Sequence, residues 1–162
     1  SMAPLLESLG VKRVVSRADQ ARYLNDVLSC SLIVYDLHSA DIEEVEMVIK
    51  HLKVAKMEHE TTFVLVSSVG VWARTKKEYV PIENDEEEEE PAEEEDGAPR
   101  EVKKRPMELT DAELDRRVPL AACESWKYLE TLALSLSQSR EKLRPHVVAA
   151  GVLYGNGEET FN

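Results

Sequence analysis

With 162 residues, 43% of them apolar, the chain is long enough to bury one core, and its formal charge is −12. Ten acidic residues between Asp85 and Asp96 hold most of that excess. The remainder is close to neutral and lacks the basic footprint that nucleic-acid binding requires. No apolar run reaches the roughly 18 residues of a membrane span, and the start lacks a signal-peptide pattern. Two cysteines, Cys30 and Cys123, with no CxxC or Cys/His cluster, argue against a zinc site. They read as reduced, mostly buried thiols in a soluble cytoplasmic protein.

The β-branched run Val11–Val15 predicts a strand, and Ser16 and Asp19 stand where a helix cap belongs. Tyr23, Leu24, Val27 and Leu28 then repeat at helical spacing. The unbroken apolar run from Ser31 to Asp36 predicts a strand covered on both faces, as in a parallel sheet. Ser39 or Asp41 caps a second helix, in which Ile42, Val45, Ile49 and Leu52 form one stripe opposite Glu43, Glu46, Lys50 and Lys53. His51 and His59 lie in that polar context and read as solvated surface groups.

Thr61–Val66 is a further continuous strand that runs into Ser67 and Ser68, with a turn at Gly70. The acidic run, with Pro91, Gly97 and Pro99, cannot bury apolar surface and predicts a loop, followed by the basic patch Arg100, Lys103, Lys104 and Arg105. Thr110 and Glu113 make a capping box. A long helix over about Leu120 to Ser137 carries Trp126, Leu129, Ala133 and Leu136 inward. Pro145–Ala150 reads as the last strand, with Gly151–Gly155 as its exit. Strands alternating with amphipathic helices predict βαβ crossovers and a parallel sheet. The expected organisation is one α/β domain in two parts, 1–84 and 106–162, around a disordered loop at 85–105.

Three segments together resemble the extended short-chain dehydrogenase/epimerase family: Cys30–Asp36, Phe63–Trp72 with its paired serines, and Val147–Gly155 with its Tyr-Gly turn. A closer likeness is to the short-chain-dehydrogenase-like region that precedes the kinase domain in ciliary adenylate kinases. Leu32–Asp36, the stretch Ser67–Arg74, Leu109-Thr-Asp and Val147–Gly151 with Tyr154-Gly155 carry it. Trp72, where epimerases have Tyr, is the most distinctive residue. The resemblance implies a partial Rossmann-like parallel sheet flanked by helices and lacking the first glycine-loop unit. It also implies a ciliary, axonemal setting with other axonemal proteins as partners, and a kinase activity residing outside these residues. Ser1-Met2 reads as a remnant ahead of the natural start, and the chain as beginning near the family's third strand.

Members of that family need a Tyr and a Lys at i and i+4 on one helix, where Lys lowers the phenol pKa for acid–base work. The long helix offers Lys127, but Cys123 stands four residues before it, and Tyr128 points away. No Gly-x-Gly-x-x-Gly loop cradles a dinucleotide, and Gly155-Asn-Gly157 reads as a turn. No phosphate loop of the kinase type occurs either. The expectation is therefore an interaction or scaffold domain with no catalytic, cofactor or metal site. Its rival is an NAD- or NADP-dependent epimerase/dehydratase fragment acting through Ser68 and Lys127. An unpaired sheet edge beside Leu32–Asp36 further predicts that the isolated chain is poorly stable or oligomeric.

Overall fold

The structure, a computed structural model, describes Gly10 and residues 15–81, 104–139 and 141–151. The strand expected at Val11–Val15 thus falls outside the described residues except for Val15, as do the acidic run, Arg100, Lys103 and the Tyr154-Gly155 turn. In chain order the elements are α1 (Gln20–Leu28), β1 (Leu32–Asp36), α2 (Ile42–Val54), β2 (Thr61–Ser68), β3 (Tyr79–Pro81), β4 (Lys104–Pro106), α3 (Glu124–Leu134), α4 (Leu136–Ser139) and β5 (Leu143–Ala150). Short 3₁₀ turns occupy Val69–Val71, Asp111–Arg116 and Ala121–Cys123.

The main sheet is parallel, in the order β1-β2-β5, and makes the domain α/β. Each crossover advances the chain by one strand in the same direction, and right-handed crossovers of that kind lay their helices on one face. The core follows from this. Ile33, Phe63 and Leu65 from the strands meet Val45, Val48, Ile49 and Leu52 from α2 and Leu129 and Ala133 from α3 in a single cluster. Tyr23, Leu24 and Val27 bring α1 onto the same side. Fully burying residues such as Phe63 or Leu52 contributes about 1.5–3 kcal/mol each.

Local chemistry sets the helix starts. Asp19 accepts from the Arg22 amide and Asp41 from the Glu43 amide, each satisfying a backbone donor that the first turn leaves without a partner. At α2 the cap is therefore Asp41 rather than Ser39. Among the described residues, no helix is long and apolar enough to cross a membrane.

Several expectations need correction. Among the described residues, β1 is covered on one face only: Ile33 is buried, whereas Leu32 and Val34 are 57% and 55% exposed. On β5, in the same register, Val148 is 48% exposed. Leu32, Val34, Val64, Val66 and Val148 thus form an apolar sheet face opposite the helices, because all three crossover helices lie on the other side. Lys104 and Arg105, assigned to the disordered loop, pair in a two-stranded antiparallel ribbon with Val80 and Pro81.

The capping box at Thr110 and Glu113 is present, but it opens a 3₁₀ turn rather than an α-helix. α3 starts at Glu124, four residues later than expected, and breaks at Ser135 before the single turn of α4. β5 begins at Leu143, two residues before Pro145. Cys30 is exposed, its thiol donating to the Asp26 carbonyl at 3.4 Å, while Cys123 is buried. His51 and His59 are half-buried, and the His59 ring reaches the Cys30 carbonyl at 3.2 Å.

Candidate functional site

The carboxyl ends of parallel strands are where α/β sheets place ligands, and here β2 ends in Ser67 and Ser68. Ser68 Oγ accepts the Gly70 N–H at 3.1 Å and so caps the 3₁₀ turn Val69–Val71. The Gly70 carbonyl in turn accepts the Leu120 N–H at 3.0 Å, and the Val118 carbonyl accepts the Arg74 N–H at 3.0 Å. These bonds tie the segment after β2 to the segment before α3. They bring Cys123 against Gly70: a Cβ added there would stand 2.9 Å from Cys123 Sγ and 3.5 Å from Ser68 Oγ. Ser68 and Cys123 thus flank one glycine, an encounter that their separation in sequence did not announce.

Lys127 does not join them. Its ammonium donates to the Arg117 carbonyl at 2.7 Å. Tyr128 turns to α2, where its hydroxyl donates to Glu46 at 2.9 Å, and Glu46 also pairs with Lys50 at 2.7 Å. Of the rival's two residues, Ser68 holds a backbone amide and Lys127 a backbone carbonyl. Among the described residues, neither makes a hydrogen bond to a tyrosine.

Dinucleotide binding needs glycines that let the backbone approach a pyrophosphate. The glycines described are Gly10, Gly70 and Gly151. Gly70, the one at the end of β2, is filled by Cys123, Leu120 and Ser68. Gly70 therefore offers no open backbone for a pyrophosphate to approach. Placing a methyl group at Gly70 must displace a buried thiol, so Gly70→Ala is expected to cost about 1–3 kcal/mol. Chemical denaturation of G70A and G70A/C123A should show that removing the sulfur recovers part of that loss.

Two polar groupings were not read from the sequence. Arg117 and Glu130 form an ion pair at 3.3 Å with side chains only 3% and 2% exposed. Arg117 also donates to the Leu114 carbonyl and to Thr131 Oγ1, both at 3.2 Å, and its guanidinium lies 6.0 Å from the centre of the Trp72 ring. Burial pushes the Glu130 carboxyl above its ordinary pKa, and Ser67, Arg117 and Lys127 pull it back in part. The Ser67 hydroxyl is near enough to exert that pull, yet Ser67 Oγ, Glu130 Oε1 and Arg117 Nε have no partner at hydrogen-bond geometry among the described residues. One signal was available: Glu130 interrupts the apolar stripe Trp126, Leu129 and Ala133.

The second grouping joins α1, β1 and α2. The Tyr23 and Tyr35 hydroxyls contact each other, and both donate to Glu44, which Arg17 pairs at 2.8 Å. Burial is the main cause raising both phenol pKa values, so the two hydroxyls keep their protons and the grouping acts as a structural clasp. At the end of β1, His38 Nδ1 lies 2.8 Å from Asp36 and its ring meets the edge of Trp126 at 4.9 Å. Hydrogen bonds from His38 hold the Asp36 carboxyl below its ordinary pKa.

Comparison of the chain with known protein families, characterised proteins and solved structures yields no match.

Proposed function

We propose that this chain is a catalytically silent, partial Rossmann-like domain that serves as an interaction or scaffold module. The observation that carries the proposal is the uncovered apolar face at Leu32, Val34 and Val148. Parallel sheets occur almost only with both faces covered, because their strands are apolar on both sides. An uncovered face of this kind is a surface on which another polypeptide packs. Lys127 and Ser68 engaged with backbone groups, and Cys123 four residues before Lys127, support the catalytically silent half of the reading.

On the sequence likeness, the proposal takes the module to belong to a protein resembling adenylate kinase 7, within the ciliary axoneme. Its partners are then axonemal proteins or the parent kinase domain, and ATP–AMP phosphotransfer lies outside these residues. The association test uses the immobilised chain and ciliary extract. A defined polypeptide should be retained by the wild type and lost with V34E/V148E. Retention indifferent to these substitutions contradicts the proposal. Titration with NADPH and NADH, followed by nicotinamide fluorescence, should give no saturable change. A dissociation constant in the low micromolar range would favour the dehydrogenase rival instead.

A further inference from the structure

Among the described residues β5 is an edge strand, because the order β1-β2-β5 gives it a neighbour on one side only. The register fixes where its backbone groups point. The Thr61 N–H donates to the Lys142 carbonyl at 2.8 Å, and Thr61 stands opposite Leu143. Along a strand of a parallel ladder, successive residues turn their N–H and carbonyl groups alternately to the two sides. Arg144, His146 and Val148 therefore bond towards β2, while Leu143, Pro145, Val147 and Ala149 point away from it. The other ladder agrees: the Thr62 N–H donates to the Ser31 carbonyl at 2.9 Å, so Thr62 turns to β1 and Thr61 to β5.

Pro145 belongs to the outward set, where its missing N–H removes no bond to β2. It blunts the first half of the edge. The second half, Val147 and Ala149, still presents N–H and carbonyl groups to the outside. Ala149 is exposed, and among the described residues nothing lies within 4 Å of a Cβ built on Gly151. A groove of about 270 Å³ follows the same edge. Pro145, Val147 and Ala149 line it from the strand, and Trp72, Leu114 and Leu134 from the segments packed beside it. A strand laid about 4.8 Å beyond β5 would direct alternate side chains into that groove.

We propose that the edge from Val147 to Gly151 takes up an extended segment of another polypeptide as an added strand. The main chain of that segment pairs with the outward groups of Val147 and Ala149, and one of its apolar side chains enters the groove against Trp72 and Leu134. Main-chain pairing supplies the affinity and the groove selects the side chain. Pro145 holds the ladder to a few residues, so binding is weak and the edge does not template a long sheet.

The test combines amide hydrogen exchange with a protein-observed NMR titration of the 162-residue chain. In the free chain the Val147 and Ala149 amides should exchange at least about tenfold faster than those of His146 and Val148, which bond to β2. The probe is an acetylated, amidated pentapeptide of alternating threonine and valine. It should shift the Val147 and Ala149 amides saturably, with a dissociation constant of about 1 mM, and slow their exchange. The same pentapeptide N-methylated at every residue keeps its side chains and loses its donors. It should bind at least about tenfold more weakly. A149P removes an outward donor without touching the bonds to β2, and should weaken the unmodified peptide by a similar factor while the rest of the spectrum keeps its dispersion.

Equal binding by the N-methylated peptide would leave an apolar groove and no added strand, overturning the proposal. Val147 and Ala149 amides that exchange as slowly as His146 and Val148 in the free chain would do the same, since the chain would then fill its own edge. Shifts that do not saturate, or an A149P variant that binds the peptide undiminished, count equally against it.

Discussion

Replacing Arg117 with Met, or Glu130 with Gln, is expected to lower the unfolding free energy by about 3–5 kcal/mol, whereas the joint replacement R117M/E130L should cost far less. The asymmetry comes from desolvation. Either single change strands a buried group, a guanidinium over Trp72 or a carboxylate beside Ser67, away from water and without its counter-charge. The double change removes both desolvation penalties and leaves apolar side chains of similar volume. Urea denaturation of the three variants decides the matter. Equal losses for the singles and the double would mean that hydrocarbon packing, not charge, dominates there.

The same pair leaves a trace in the pH dependence. Because the Glu130 pKa is raised in the folded chain, the protein retains a proton there that the unfolded chain has already released. That contribution to stability is complete below the ordinary carboxyl value of 4.5 and is lost as pH rises through the raised folded value. The stability difference between the wild type and R117M/E130L should therefore shrink across that window on going from acid towards neutral pH. A difference that grows instead would assign Glu130 a lowered pKa and contradict its desolvation.

Residues on opposite faces of the neighbouring strands β1 and β2 are expected to respond to a charge in opposite ways. Leu65→Glu places an unpaired carboxylate in the cluster with Phe63 and Leu129 and should cost more than about 4 kcal/mol. Val34→Glu, on the uncovered face, should cost less than about 1 kcal/mol, since Val34 is already 55% exposed. Its effect should appear in association instead. Circular dichroism separates the two outcomes: L65E loses the cooperative transition, and V34E melts like the wild type while losing its partner. A V34E chain that unfolds would show that residue 34 packs on something within the chain itself.

Much of the architecture was legible because local signals agreed with the packing. Of the stripe Ile42, Val45, Ile49 and Leu52, the last three are buried and Ile42 partly so, and the strand expected at Thr61–Val66 extends to Ser68 as the middle strand of the sheet. The one-sided burial of β1 was not legible. Leu32-Ile-Val-Tyr has the composition of a strand covered on both faces, and composition cannot tell whether the second covering layer lies within the same residues. The 3₁₀ turn at Asp111–Arg116 carries the same capping box that opens an α-helix, and Pro119 three residues after it leaves no room to extend.

At the candidate site, sequence spacing put Cys123 one helical turn ahead of Lys127, whereas Cys123 ends a 3₁₀ turn and only precedes α3. Spacing could not show that Lys127 is held by the Arg117 carbonyl or that Cys123 packs on Gly70, since both depend on how the 117–123 segment returns to the end of β2. The Arg117–Glu130 pair escaped for a related reason. The partners lie on different elements, and only the fold reveals that both are out of water.

The most direct measurement is photo-crosslinking from the exposed side of the sheet, with p-benzoylphenylalanine at position 34 of the chain in cell extract. Position 54, where Val54 is 73% exposed at the end of α2, serves as the control. A discrete product from position 34, joining it to another polypeptide and absent from position 54, is the predicted result. No product from position 34, or the same product from both positions, would contradict the account.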